Sequence, residues 1–349
     1  MRIIIVGSGI AGILLAELLK EYRPTIIATS HESAPPTALF HPFPGRSVQP
    51  HPLLTSAVSA AVQRYQQWHH QFPHLCRPIT MCRPLVGAGG KRLLNSAQKY
   101  ASFYRDSEIE LRVDHLSQVR ESLSFRTGIG PKSVMYEPAF AIDTQVLIQK
   151  RLAQLKQLGC QIQSDRLLRI HPQSIELNAG AQMTFDHLFL AIGAQLSHFF
   201  PTIKTQIEGG SLMHSPGLKH HNALSINGLH FTPNARGESV IGSTRWSGEA
   251  PSVSHCQNDL IERSHALLNL LHPLQAGELW RGLRCIYPQD RLPICGQAPE
   301  NNQVSILGAL GNKGLLWGPF AAQCLVNHVL HNKAIPEALS LKRTQNCPS

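Results

Sequence analysis

An α/β fold, in which a nucleotide-binding domain is interrupted by a β-rich, α+β second domain, is what this sequence predicts, and three observations carry the prediction. The chain opens on a strand, a glycine turn, a helix and a second strand, all before Ser30. A buried strand ending at Gly193 stands mid-chain, and a second glycine-rich turn, 308–314, stands near the end. The 349 residues suffice for a large core and two intimately joined domains.

Residues 2–6 (RIIIV) read as a buried parallel strand, because they lack the polar alternation of a half-exposed one. Gly7-Ser8-Gly9-Ile10-Ala11-Gly12 makes a tight turn, and Ile13, Leu14, Ala16 and Leu18 then recur at helical spacing over 10–22. Pro24 stops that helix, and 25–29 (TIIAT) form the second strand. This is a Rossmann-type βαβ unit. The first glycine makes the turn, the second lets a pyrophosphate approach the backbone, and the third lets helix pack on strand. The helix N-terminus offers free N–H groups and a positive dipole end to phosphates. Gly7, Ser8, Gly9, Ile10, Ala11 and Gly12 are therefore candidate cofactor contacts. One expected group is missing. An acidic residue should end the second strand and hold the ribose hydroxyls, but Thr29 or Ser30 stands there. Hydroxyls bond a ribose less strongly than a carboxylate does. Glu32 lies two residues on and could substitute.

Further along, 31–52 read as a proline-rich loop, 53–70 as a helix, and 78–135 as short strands and turns broken at 87–90 and 128–131. An amphipathic helix spans 143–158, with Asp143 as N-cap and Gly159 as its stop. Two or three strands follow to 185, then a buried strand at 188–192. Residues 205–250 are β-rich, with turns at Asn227-Gly228 and 234–237. A helix covers 256–271, a turn 288–293, a strand 303–308, and a last helix 319–331. The expected organisation is a discontinuous cofactor domain of 1–52, 137–204 and 280–349, with a substrate domain of 53–136 and 205–279.

Composition narrows the function classes. With 42% hydrophobic and 15% charged residues the chain is globular. Aromatics at 6% argue against a nucleic-acid binder built on stacking platforms. The net charge of +10 favours anionic partners, whether phosphates, acidic metabolites or RNA, but no run of Lys and Arg marks a basic arm. Eight Cys without a CxxC suit a reducing cytosol, and the 19 His show no metal-ligand spacing, so no metal site is expected. No stretch reaches the uncharged length of a membrane span, and the glycines and charges of the N-terminus exclude a signal peptide, so a cytoplasmic location is expected.

The chain resembles the D-amino-acid-oxidase-like family of FAD oxidoreductases, which includes glycine and sarcosine oxidases and the oxidase half of the bifunctional tRNA wobble-uridine modification enzyme. The resemblance runs nearly end to end. It rests on 4–12, on 137–143 (EPAFAID), on 185–194 (FDHLFLAIGA), on 280–284 (WRGLR) followed by 290–296 (DRLPICG), and on 308–319 (GALGNKGLLWGP). The resemblance implies FAD as cofactor. It places Ala191 and Gly193 beside the flavin, and with them Gly308, Gly311, Asn312, Lys313, Gly314 and Leu315, whose turn would face the charge of the reduced ring.

The same resemblance assigns Arg284 to the substrate carboxylate, a task suited to a planar guanidinium. It places Lys313, Arg245 and His230 around an anion-favouring pocket. Cys285 falls near the position of a covalent flavin link in sarcosine oxidases, but its spacing to Asp290 is shorter, so it is read as a small buried residue. The chemistry implied is hydride transfer from the amine-bearing carbon to flavin N5, leaving an imine that water hydrolyses. Three readings stay open: an amino acid or secondary amine as substrate, a carboxymethylaminomethyl uridine in tRNA, or a flavin-binding protein without catalysis. The electron acceptor and the oligomeric state are not legible in the sequence.

Overall fold

The computed structural model describes residues 1–28, 34–45, 48–105, 107–115, 132–269 and 274–344. In chain order the first half carries β1 (Ile3–Val6), α1 (Ile10–Leu18), β2 (Thr25–Ala28), β3 (Ala38–Phe40), α2 (Leu54–Gln71), β4 (Cys76–Pro84), α3 (Gly87–Tyr104), β5 (Glu110–His115), β6 (Lys132–Ile142), α4 (Thr144–Gln157), β7 (Gln161–Ser164) and β8 (Leu167–Ile170). The second half carries β9 (Ser174–Leu177), β10 (Gln182–Thr184), β11 (His187–Leu190), α5 (Leu196–Phe199), β12 (Gln206–Lys219), β13 (Ala223–Ile226), β14 (Leu229–Pro233), β15 (Glu238–Gly242), α6 (Val253–Leu267), β16 (Leu279–Ile286), β17 (Ile294–Ala298), β18 (Asn301–Gly308) and α7 (Gly314–His331).

Two compact units emerge. The first comprises Met1–Ala34, Gln145–Glu208 and Leu283–Ser349, and the second Pro35–Thr144 and Gly209–Gly282. Unit 1 is built on a six-stranded sheet in the order β17-β18-β11-β1-β2-β7, in which β18, β11, β1, β2 and β7 run parallel and β17 pairs antiparallel at the edge. The central strands are buried on both faces, which is why β1 (IIIV) and β11 (HLFL) read as apolar without alternation. A separate three-stranded antiparallel sheet, β10-β9-β8, supplies the strands expected before 185. Its Ile175 and Leu177 join Val6, Leu190, Ile294 and Ile306 in one core.

Unit 2 is organised by a nine-stranded sheet in the order β16-β12-β15-β14-β13-β4-β6-β3, with β5 also paired to β6. The β14 to β13 hairpin turns at Asn227 and Gly228, both at positive φ, as the Asn-Gly pair foretold. The units divide the chain at different points from the expected ones. Residues 35–52 and 137–144 go with the nine-stranded sheet, because β3 pairs with β6 in register from Ala38 opposite Ile142 to Phe40 opposite Phe140. The chain re-enters unit 1 inside β16.

Two expectations are corrected. Gly87-Ala88-Gly89-Gly90 does not break structure but starts α3, an 18-residue helix within the stretch read as strands and turns. The apolar residues Leu93, Ala97 and Tyr104 share one buried face. Gly90 lets the first turn close on the preceding strand, where a Cβ would stand 2.6 Å from the Leu85 carbonyl carbon. The final helix begins at Gly314, not 319, with Pro319 inside it. Proline there forgoes only one hydrogen bond near the start of an otherwise apolar helix. The expected turn at 128–131 lies outside the described residues.

Within unit 1, Arg151 of α4 donates through Nε to Glu17 of α1, whose side chain is 3% exposed. Burying a carboxylate without its partner is costly. Arg151→Met should therefore lower the unfolding free energy by about 3 kcal/mol, and replacing both residues by Leu should restore about half of that loss or more. Urea titration followed by circular dichroism measures both.

Candidate functional site

The glycine turn of unit 1 is fixed by backbone contact. Gly7 sits at φ 107° and donates its N–H to the Ile27 carbonyl at 2.9 Å, while the Ala191 N–H bonds the Val6 carbonyl at 2.8 Å. A Cβ on Gly7 would meet the Ala191 carbonyl oxygen at 2.2 Å, and one on Gly12 would meet the Gly7 oxygen at 1.8 Å. Both glycines are thus required by packing. Gly9 is different: its φ is −70° and an added Cβ would meet nothing within 4 Å. The fold itself has no need of a glycine there. Open space over a backbone at a helix start is what a phosphate group needs.

Gly9 is the N-cap of α1. No side chain caps that helix and no acidic residue stands in its first turn. The same holds for α7, whose N-cap is Lys313. Gly314 brings the two helix starts together, since its Cβ position is 4.0 Å from Ile10 Cγ2. Further along, that of Gly318 is 3.1 Å from Leu14 Cδ1. Two positive dipole ends are therefore juxtaposed beside the open backbone of Gly9, an arrangement that fits an anionic group.

Around this point the sequence-derived residues fall into place unevenly. Ser8 and Ala11 are buried, Ile10 is half-buried, and Gly12 is closed against Gly7. Ala191 backs the turn, packing behind both Gly7 and Gly12, and Gly193 is exposed. Gly308 is buried where a Cβ would press on Leu196 Cδ2 at 2.7 Å, so packing alone accounts for it. Gly311, at φ 54°, donates its N–H to the Cys285 carbonyl at 2.9 Å, and Leu310 bridges Ile286. These bonds tie the turn carrying Asn312, Lys313, Gly314 and Leu315 to the end of β16, where Arg284 lies half-buried. Thr29, Ser30 and Glu32 lie outside the described residues.

Lys313 is half-buried, and burial lowers its pKa from the ordinary lysine value, with Asp290 opposing that shift and Arg291 adding to it. Asp290 and Arg291 themselves are structural. Arg343 pairs with Asp290 at 3.2 Å, stacks over Tyr287 at 4.8 Å, and donates to the carbonyls of Leu292 and Pro293. Arg291 pairs with Glu208 at 3.1 Å. Arg343 was not legible beforehand, because Asp290, Leu292 and Pro293 lie some fifty residues away along the chain. Cys285 is buried, and burial pushes its thiol up, which disfavours the thiolate that a covalent flavin link requires.

The other two predicted residues belong to unit 2. His230 lies in β14 opposite Ser225 and Gly242, its ring 6.5 Å from that of buried His41. Arg245 is exposed, three residues beyond β15. The structure thus places Arg284 with Lys313 in one unit and His230 with Arg245 in the other. Sequence reading missed His41 and Tyr136, which stand 5.5 Å apart by ring centroid. The proline-rich setting of His41 concealed it.

Residues 2–328 match the sequence profile of a family described as FAD dependent oxidoreductase. The chain is 24% identical over 342 residues to the tRNA 5-methylaminomethyl-2-thiouridine biosynthesis bifunctional protein of Maricaulis maris, covering 93% of this chain and 51% of that protein. It therefore spans about half the length of that curated relative. Among solved structures, iminodiacetate oxidase from Chelativorans sp. is similar with a TM-score of 0.79 at 18% identity, covering 97% of this chain and 98% of that one. L-Amino acid deaminase from Proteus vulgaris gives 0.79 at 15%, covering 98% and 96%. Glycine oxidase from Bacillus cereus gives 0.78 at 17%, covering 95% and 96%. At these identities the structural likeness establishes the fold. No helix among the described residues is long and apolar enough to cross a membrane.

The glycine geometry separates packing from binding. Gly9→Ala should leave apoprotein stability within about 1 kcal/mol while abolishing flavin retention, since the new methyl enters space the fold leaves open. Gly12→Ala should instead prevent the turn from closing and lower soluble yield sharply. Thermal unfolding of the apoprotein and absorbance near the flavin band after reconstitution distinguish the two.

Proposed function

The chain belongs to the FAD dependent oxidoreductase family, and from that premise we propose that it oxidises the C–N bond of an amino acid or secondary amine, with FAD held at the paired starts of α1 and α7. The observation that carries the cofactor assignment is the open backbone over Gly9 beside two uncapped helix N-termini. Gly7–Gly12 would take the diphosphate, and the turn from Gly311 to Leu315 would face the ring. Bound there, FAD supplies the two-electron acceptor.

The chain's own residues then have two tasks. Arg284 holds the substrate carboxylate with two parallel hydrogen bonds and so fixes which carbon is presented. Lys313, a half-buried cation, favours the unprotonated amine, because an ammonium next to a like charge loses its proton more readily. Arg245 and His230 lie in unit 2. No general base is assigned.

A second reading takes the amine to be the carboxymethylaminomethyl group of a tRNA wobble uridine. It is favoured by the 93% coverage of this chain by part of the tRNA-modifying relative and by the net charge of +10. That group is itself a secondary amine bearing a carboxylate, so Arg284 would serve both readings. Anaerobic addition of a panel of amino acids, of N-methylated glycines and of undermodified tRNA to the holoenzyme decides between them by which one bleaches the flavin. Binding of tRNA that weakens steeply with salt would favour the second. If nothing bleaches the flavin, amine oxidation is the wrong chemistry.

Arg284→Met should lower kcat/KM for a carboxylate-bearing amine by about 100-fold or more, while leaving the flavin spectrum intact. Lys313 loses its charge below the ordinary lysine pKa because it is buried. The kcat/KM of the wild-type enzyme for an anionic substrate should therefore fall on the alkaline side, and Lys313→Met should flatten that limb. A pH profile from neutral to strongly alkaline measures it.

A further inference from the structure

The face that α3 turns to solvent carries charge of one sign and an exposed ring. From Ser33 to Arg105 the chain has no Asp or Glu, although 22 stand in the whole of it, and the same stretch holds eight Lys and Arg. Three of the eight, Lys91, Arg92 and Lys99, are exposed on α3. Lys91, Asn95, Lys99 and Phe103 follow at steps of four and form one row along the helix, on the side away from the buried Leu93 and Ala97. Arg92 extends that row. Lys91 and Lys99 stand about 12 Å apart along the axis.

No acid answers these cations. None of the three forms an ion pair among the described residues. Of the acids that follow α3, Glu108 accepts from the Ser59 hydroxyl and Glu110 pairs with Arg112 at 3.1 Å. Phe103 is 52% exposed, and it is held so. The buried Tyr104 beside it donates its hydroxyl to the Val48 carbonyl at 2.8 Å. The two rings meet edge to face, with centroids 5.1 Å apart and planes at 81°. That contact braces Phe103 and leaves a face of its ring open for stacking.

We propose that the outer face of α3 docks RNA, with Lys91, Arg92 and Lys99 on backbone phosphates and an unpaired base stacked on Phe103. Cations strung along a helix suit an extended polyanion, whereas a small acid meets only one of them. Backbone neutralisation combined with one aromatic platform is the pattern by which unpaired RNA is held. A lipid surface would need several large apolar side chains facing outward, and of those in α3 only Phe103 is exposed. Neither a run of basic residues nor a high aromatic content is required, because helical spacing gathers the few that are needed. The proposal rests on the tRNA reading of the function and assigns that reading a docking face within unit 2.

Fluorescence anisotropy of the holoenzyme with labelled undermodified tRNA tests it. Replacing Lys91, Arg92 and Lys99 together by Gln should weaken binding about 100-fold and reduce the slope of log affinity against log salt by about 2. Phe103→Ala should weaken binding about tenfold with the slope unchanged, because stacking releases no counterions, and Phe103→Tyr should restore it. Circular dichroism and flavin absorbance report whether each variant is folded. Binding of tRNA that is indifferent to these substitutions overturns the proposal. So does an absence of tRNA binding where phosphatidylserine vesicles or polyglutamate bind through the same residues. If tRNA binds through α3 but does not bleach the flavin, the docking face stands and the wobble-uridine substrate is wrong. If tRNA bleaches the flavin of the triple variant as readily as that of the wild type, the substrate stands and the docking face is wrong.

Discussion

At the centre of unit 1 three backbones touch. The Cα of Gly12 rests on the Gly7 carbonyl so closely that a methyl group there would lie 1.8 Å from the oxygen, and Gly7 in turn backs on the Ala191 carbonyl. This contact joins the turn after β1, the first turn of α1 and the residue after β11. It decides where α1 begins and which way its first amides point. The closing helix docks by a related device, with Gly314 set beside Ile10 and Gly318 against Leu14. Two helix starts can converge only because small residues stand at the crossing, and convergence is what makes the location anion-favouring without any buried side-chain charge.

Such a device suits a cofactor better than lysines and arginines would. Backbone amides at a helix start have no side-chain entropy to lose and carry no full charge to desolvate. The ion pairs of unit 1 are accordingly set to one side. Glu17 with Arg151 joins α1 to α4, and Arg343 clasps the turn at 287–293 through Asp290, two carbonyls and the Tyr287 ring.

What the sequence disclosed follows from the same physics. The Gly7, Gly9 and Gly12 pattern was legible because Gly7 and Gly12 answer local steric demands at a fixed spacing with the open Gly9 between them, and β1 was legible because a strand buried on both faces cannot alternate. The Asn227-Gly228 turn is equally local. Glycines misled where their role was tertiary: at 87–90 they admit a helix against Leu85 instead of ending a strand, and the apolar face of Leu93, Ala97 and Tyr104 outweighs their low propensity. Pro319 misled because the apolar packing of a long helix absorbs one missing hydrogen bond. Arg343, His41 and Tyr136 could not be read at all. Their partners are distant in the chain, and nothing in their immediate neighbours marks them.

The two units then solve different electrostatic problems. Unit 1 offers dipoles and backbone at its paired helix starts, which spread partial charge over many amides. Unit 2 gathers the buried rings of His41 and Tyr136 with Arg83 beside them. Neutrality of His41 is essential to that arrangement. Were its ring protonated, a buried charge would stand beside the Arg83 guanidinium. Burial of the imidazole therefore does more than fill space in the core. It keeps the ring uncharged, so that no second cation stands beside Arg83 there.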